Sequence, residues 1–287
     1  MSTPLRDVLA LVRPRIGLLA AAGAGAGFLA AGRGPGSGLM AAAAGAFLLS
    51  CGASALNQVQ ERAEDARMKR TKNRPLPAGR MTVKAAWALA LVCLALSALA
   101  LAASTGGLAA ALFAPLTFLV YNGLYTPLKK RTSLAMLVGG LAGAFPPLVG
   151  FAAAGASPLG PNALLLAGVF YAWQVPHFWL FARMHRAEYE AAGFHVPQHG
   201  VAQSRAGGTL ALWLVGYGAL MLLIPAFGLV AQPVWQGLVA ALAAALSLGA
   251  WPLMARERLG FALVNASLLL FLCFLAADAL DILGLAA

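Results

Sequence analysis

The sequence predicts an all-α membrane protein, a bundle of about nine transmembrane helices with its N-terminus in the cytoplasm and its C-terminus outside. Three observations carry this expectation. Of the 287 residues, 61% are hydrophobic and 10% are charged, against roughly 25% charged in an ordinary soluble domain. Apolar runs of about 20 residues recur along the whole length, and each can cross roughly 30 Å of hydrocarbon as a helix. The basic residues are confined to alternate loops.

Taken in order, the expected spans cover residues 16–31, 38–59, 83–103, 107–125, 133–154, 160–182, 207–230, 233–254 and 259–280. The first follows Arg6, Arg13 and Arg15, an arrangement that superficially resembles a secretory signal. Removing it would reverse the sidedness of every later loop, so it is kept as a span. Its small residues, Ala20 to Gly27, and those of the fifth span, Gly139, Gly140 and Gly143, suit close helix contact in lipid. Pro146, Pro147, Pro176 and Pro225 fall within spans, where the backbone carbonyls they free are tolerable only against protein or a wet cavity. Cys51, Cys93 and Cys273 also fall within spans, without CxxC pairing, and read as small core or lipid-facing residues. Trp213, Trp235 and Trp251 read as packing or interface residues.

Lys and Arg number 3 before the first span, 8 after the second when Lys84 at the start of the third is counted with them, 3 after the fourth, 3 after the sixth and 2 after the eighth, with Arg33 alone on the other side. The positive-inside rule places the basic loops in the cytoplasm. The formal net charge of +11 is therefore a topology signal, and no nucleic-acid partner is expected.

Two of the basic loops hold most of the chain's polarity, roughly residues 60–82 and 183–206. They follow spans four apart, a hint of weak internal duplication that no residue-level repeat supports. Asn57, Glu61 and Asp65 are spaced i, i+4, i+8, so a helix continuing from the second span lines up three oxygen donors on one face. Ionised groups so near the hydrocarbon need a partner. Mg²⁺ suits such a sparse set, since it takes one or two carboxylates, waters and phosphate oxygens. Lys69, Arg70, Lys72 and Arg74 follow and can bond phosphate oxygens. Carboxylates with a metal, followed by basic residues, read as a diphosphate site; the bland alternative is a solvated loop of topological charges. His185, His195 and His199 resemble a metal cluster only if helical, and Pro197 argues against that helix.

These segments carry a resemblance. Asn57-x3-Glu61-x3-Asp65 with Met68 to Gly79, Tyr121 to Thr132, Gly139 to Pro147, and Trp173-Gln174-Val-Pro176-His177-Phe178 together resemble the UbiA-type intramembrane prenyltransferases, and within them the haem O synthase (protoheme IX farnesyltransferase) branch. The likeness covers roughly residues 13–195. It implies one domain over 1–287 that transfers farnesyl from farnesyl diphosphate to a vinyl group of protoheme (haem B), releasing diphosphate and adding water. By position, Asn57, Glu61 and Asp65 would bind Mg²⁺–diphosphate, Arg70, Arg74 and Lys129 the phosphate oxygens, and Tyr125 would lie beside the allylic cation or bond a phosphate oxygen. Trp173, Gln174, His177, Glu188 and Tyr189 would face the acceptor, with His177 suited to iron or a propionate. The branch implies an inner-membrane location and partners among haem A synthase or oxidase-assembly proteins.

The chain departs from the branch in three places: Glu61 and Glu188 stand where Asp is usual, and Phe194-His195-Val-Pro197-Gln-His199 replaces a Pro-Met-Leu-like segment. Three rival readings stand beside the first. A quinone-precursor prenyltransferase would share the first loop and differ at the acceptor. A transporter would carry charges at mid-membrane, where the sequence has almost none. A non-catalytic assembly protein for a respiratory complex would tolerate loss of Asp65.

Overall fold

The computed structural model describes residues 4–196, 203–250 and 256–284. Arg13 breaks the first apolar segment: α1 (Pro4–Val12) and α2 (Pro14–Ala30) meet at 46°. Arg13 itself has φ 53° and ψ 61°, the left-handed region that residues other than glycine rarely enter. Pro14 opens α2 at the position where a helix has no use for the missing N–H. From the following helix, Gln58 Nε2 donates to the carbonyls of Ala10 (3.0 Å) and Leu11 (2.7 Å), closing the end of α1.

That following helix is α3 (Ser37–Gln60), and α4 (Arg62–Arg67) continues it. A loop through Pro75 and Pro77 leads to Thr82, whose hydroxyl accepts from Ala85 N (3.1 Å) and caps α5 (Val83–Ala102). The next span, 107–128, is assembled from α6 (Gly107–Ala111), α7 (Phe113–Phe118), a π-helical segment π1 (Leu119–Tyr125) and α8 (Thr126–Leu128). Then come α9 (Ala135–Ala153), α10 (Pro161–Met184), the short α11 (Arg186–Ala191), α12 (Gln203–Ala226), α13 (Pro233–Leu248) and α14 (Glu257–Ile282).

Among the described residues, seven helical spans are long and apolar enough to cross a bilayer, or eight when α1 and α2 count as one bent span. The eighth expected span, 233–254, is represented among the described residues by α13, whose 16 residues reach about 24 Å at 1.5 Å per residue. Trp251 lies outside the described residues.

The helices close into a ring. Neighbours pack in the order α2, α3, α5, the 107–128 span, α9, α10, α12, α13, α14, and α14 returns to α2; α2 also packs against α9. That last crossing is very close. A Cβ at Gly27 would stand 2.1 Å from the Pro147 carbonyl oxygen, and one at Gly150 would stand 2.0 Å from that of Ala24. Only hydrogen fits at either place, which is how the small-residue stretches of these spans are used. Cys51 and Cys93 are buried and Cys273 is exposed on the outer surface, all as free thiols.

The basic segments gather at one end. Arg80 pairs with Asp7 (3.0 Å), Lys129 with Glu61 and Arg183 with Glu257 (2.7 Å). Arg70 N donates to Glu188 Oε2 (3.3 Å) and His195 N to the Lys129 carbonyl (3.1 Å). At the opposite end Arg33 donates to the Ala154 carbonyl (3.2 Å), and buried Asp278 accepts from the backbone of Ala231 (3.1 Å) and Gln232 (2.7 Å) ahead of α13. The alternation of charge along the sequence thus reappears as two different ends of the bundle.

Gly27→Ala should lower the thermal midpoint in detergent, by overpacking worth on the order of 1–3 kcal/mol. Gly216→Ala, in α12 with open space where its Cβ would go, should leave the midpoint unchanged or slightly raised. Equal midpoints for the two variants, read by intrinsic fluorescence on heating, would contradict the crossing described above.

Candidate active site

The polar wall begins where α3 leaves the membrane. Glu61 interrupts the helix between α3 and α4, yet Glu61 N still donates to Asn57 O (2.9 Å) and Asp65 N to Glu61 O (2.8 Å). Helical phase is therefore kept across the break. Asn57, Glu61 and Asp65 come out on one face, only 3%, 5% and 1% exposed, and all three line a single cavity.

Each is held by a specific contact. Asn57 Nδ2 donates to Thr126 Oγ1 (3.1 Å), whose own proton goes to the Tyr121 carbonyl (2.9 Å), so the Asn57 amide oxygen is the end left for the cavity. The Glu61 carboxylate pairs with Lys129. Asp65 Oδ2 accepts from Arg74 Nη1 (2.7 Å), while Oδ1 is buried with no hydrogen-bond donor. Thr71 Oγ1 donates to the Asp65 carbonyl (2.9 Å) and folds the basic stretch back toward the ladder. Glu64, outside the ladder, pairs with Lys130 (2.6 Å).

Across from the ladder stands π1. Its extra residue per turn shifts which side chains face inward, a device that recurs at functional sites. Asn122 Nδ2 donates to the Ala53 carbonyl and to Gln60 Oε1 (both 3.1 Å), and Gln60 Nε2 returns a bond to the Asn122 carbonyl (2.9 Å), pinning π1 to α3. Tyr121 and Tyr125 then sit with ring centroids 5.3 Å apart, both on the cavity. Lys129 Nζ lies 4.8 Å from the Tyr125 ring centre and 5.4 Å from that of Phe194. Burial alone would push the Lys129 ammonium toward its neutral form; the adjacent Glu61 carboxylate outweighs it and holds the pKa above its ordinary value.

The third wall comes from α9, α10 and α14. Gly139 and Gly143 give it room: a Cβ at Gly139 would meet the Tyr125 ring at 2.7 Å, and one at Gly143 would meet Gln174 Oε1 at 2.3 Å. Pro146 and Pro147 cannot donate to the carbonyls of Ala142 and Gly143, and both of those residues border the cavity. Trp173 Nε1 donates to the Val264 carbonyl (2.9 Å), and His177 Nδ1 lies 2.8 Å from Asn265 Oδ1. Phe178 stacks on Tyr125 at 5.6 Å, joining this wall to π1.

Together these walls enclose a cavity of about 460 Å³, inside the range of roughly 300–1,000 Å³ usual for small-molecule sites. One end carries Asn57, Glu61, Asp65, Arg70, Arg74 and Lys129; the other is apolar, with Leu49, Met136, Phe145 and Phe170. Trp173, Gln174, His177 and Tyr189 also line it. Glu188 does not: on α11 its carboxylate faces the backbone N–H of Arg70 outside the lining, while the Arg70 guanidinium lies over the Phe181 ring at 5.2 Å. Lys69 and Lys72 are exposed and also fall outside the lining. Arg13, Phe194 and Asn265 line the cavity without having been singled out for it by sequence. Arg13-Pro14-Arg15 marked only the start of the family likeness, and Asn265 is an isolated amide in an apolar span, itself a signal.

Only two of the three loop histidines are described, and those two have different surroundings. His185 packs on Phe181 (4.7 Å), His195 is exposed, and His199, like Pro197, lies outside the described residues. Among the described residues no three His, Cys, Asp or Glu side chains gather as a metal-binding group. The ladder nonetheless fits Mg²⁺, which needs few protein ligands: it offers the donorless Asp65 Oδ1, the Asn57 amide oxygen and the Glu61 carboxylate beside three cations able to take phosphate oxygens.

The site is thus a cavity within a ring of apolar helices, with a carboxylate and cation floor and an apolar interior, suited to a molecule with an anionic head and an apolar tail. The chain belongs to the UbiA prenyltransferase family, whose sequence pattern it matches over residues 18–272. It is 39% identical over 282 residues to the protoheme IX farnesyltransferase of Oleidesulfovibrio alaskensis, covering 98% of this chain and 99% of that one. With the protoheme IX farnesyltransferase of Geobacter sulfurreducens it shares 43% over 226 residues, covering 79% and 83%. In fold it resembles a UbiA homologue from Aeropyrum pernix K1 (TM-score 0.75, 21% identity, 95% and 100% of the two chains). It also resembles a UbiA homologue from Archaeoglobus fulgidus bound to DMAPP and Mg²⁺ (TM-score 0.69, 16% identity, 95% and 99%).

Lys129→Met should leave Glu61 buried without its cation and destabilise the protein by about 3–5 kcal/mol. Adding Glu61→Gln should recover most of that loss. Thermal midpoints of the two single variants and the double variant test the pair, and additive losses would show that Lys129 and Glu61 do not depend on each other.

Proposed function

We propose that this protein is a haem O synthase, transferring the farnesyl group of farnesyl diphosphate to a vinyl group of protoheme. The observation that carries the reading is the division of one cavity into a ladder-and-cation wall, Asn57, Glu61 and Asp65 against Arg70, Arg74 and Lys129, and an acceptor wall of Trp173, Gln174 and His177. The two protoheme IX farnesyltransferases similar over most of the chain support the choice of acceptor. We place the whole of 1–287 in one domain of the inner membrane. By the positive-inside rule the basic end faces the cytoplasm and the C-terminus lies outside. Haem O would pass to haem A synthase or the oxidase-assembly machinery.

In this reading the allylic carbon–oxygen bond of farnesyl diphosphate breaks and its electron pair leaves with the diphosphate. Arg70, Arg74 and Lys129 stabilise the charge that develops there more strongly than the charge of the bound ester, which lowers the barrier. Arg13 adds a fourth cation to the same space. Mg²⁺, held by Asn57, Glu61 and Asp65, would neutralise the leaving group when bound. Tyr125, stacked on Phe178 and beside Lys129, shields the allylic carbon from water and offers it an aromatic face. The farnesyl carbon bonds the terminal vinyl carbon, and water adds to the neighbouring carbon, releasing a proton.

Purified protein given Mg²⁺, farnesyl diphosphate and haem B should yield a product heavier by a hydroxyfarnesyl unit, and chelation of the metal should stop turnover. Conversion of an aromatic acid alone would select the quinone-precursor reading instead. Asp65→Ala or Asn57→Ala should lower kcat by about 100-fold or more with thermal unfolding still cooperative. His177→Ala should impair use of haem while farnesyl thiodiphosphate binds as before. Mass spectrometry of the products and analogue titration measure these outcomes.

A further inference from the structure

One contact in the acceptor wall serves neither the diphosphate end nor plain helix packing. Asn265 sits on α14 with its amide borrowed from its own helix: Nδ2 donates to the Phe261 carbonyl one turn back (2.6 Å). That bond decides which end of the amide faces α10. The oxygen points across the gap, 2.8 Å from His177 Nδ1. An amide oxygen only accepts, so Nδ1 must carry the proton, and a neutral imidazole protonated there keeps its lone pair on Nε2.

The surroundings hold the ring in that pose. Trp173 lies 4.8 Å from the imidazole centre and Phe261 5.1 Å, while Phe178 meets it edge-on at 5.6 Å. One residue before Asn265, the Val264 carbonyl takes the Trp173 N–H, so the α10–α14 register is fixed at two adjacent points. His177 and Asn265 both border the cavity.

We infer that Asn265 is a positioning residue that locks His177 in its Nδ1-protonated form and turns the unprotonated Nε2 toward the iron of a metalloporphyrin acceptor. A histidine that ligates a metal characteristically donates its other ring N–H to a fixed acceptor, and loss of that acceptor costs about 10–100-fold in metal affinity. The inference rests on the haem reading of the cavity and goes beyond it by assigning a residue of the last helix to acceptor orientation.

Protein in nanodiscs, titrated with haem B and followed by its Soret band and by resonance Raman of the ferrous Fe–N(His) stretch, provides the test. The wild type should show histidine ligation. His177→Gly should lose it and regain it on adding imidazole. Asn265→Leu should bind haem B about 10–100-fold more weakly with the histidine signature diminished. Asn265→Asp should keep ligation and raise the stretching frequency, because a carboxylate makes the imidazole more basic. Mg²⁺ with farnesyl thiodiphosphate should bind all variants as it binds the wild type, which reports an intact bundle. Asn265→Leu and Asn265→Asp with the wild-type affinity and stretch would overturn the role of Asn265 while leaving the haem reading standing. His177→Gly with an unchanged spectrum would overturn ligation. A wild type that binds no haem B would instead remove the functional reading itself.

Discussion

Charge under a hydrocarbon ceiling is the constraint from which the rest of the site follows. Glu61 and Asp65 are nearly inaccessible, and each carboxylate has a cation beside it, Lys129 for the first and Arg74 for the second. Removing a buried charge's partner costs several kcal/mol, so these two pairs fix where the ends of α3 and α8 stand and how the first basic loop folds back. On the proposed function, a bound metal diphosphate would draw the two carboxylates toward the metal and Lys129 and Arg74 toward phosphate oxygens.

Space in the same region is made by leaving atoms out. Gly27 and Gly150 let α2 and α9 touch backbone to backbone, while Gly139 and Gly143 admit the Tyr125 ring and the Gln174 amide. The cavity therefore sits among tightly crossed helices, and its two walls are bridged by Tyr125 on Phe178. Over the polar end the two basic loops meet, Arg70 N on Glu188 and His195 N on Lys129 O, with Phe194 packed among Met68, Tyr189 and Ala192. The segment in which this chain departs from the haem O synthase pattern thus supplies a buried aromatic cover for Lys129. Glu61, one methylene longer than the usual Asp, reaches that lysine from the opposite wall.

The sequence announced the spans because apolar length and alternating charge act locally, and the ladder because α-helical spacing survives the interruption at Glu61. Asn57, Glu61 and Asp65 could be read as one face for that reason. The π-helical segment carries no spacing signature; it exists because Asn122 and Gln60 bond each other across two spans, a tertiary fact. The left-handed turn at Arg13 likewise depends on Gln58 gripping the end of α1 from a distant helix. Asn265 was visible only as a solitary amide, and its meaning required knowing that α14 lies against α10. Position in the sequence points Glu188 to the acceptor side, whereas its carboxylate is turned to the backbone of the first loop.

Anomalous scattering from Mn²⁺ in crystals grown with farnesyl thiodiphosphate tests the central claim most directly. The account predicts a peak among the side-chain oxygens of Asn57, Glu61 and Asp65, with Lys129 and Arg74 moved off their carboxylates and onto the diphosphate. Diphosphate bound with the peak elsewhere, or with both ion pairs still closed, would contradict it.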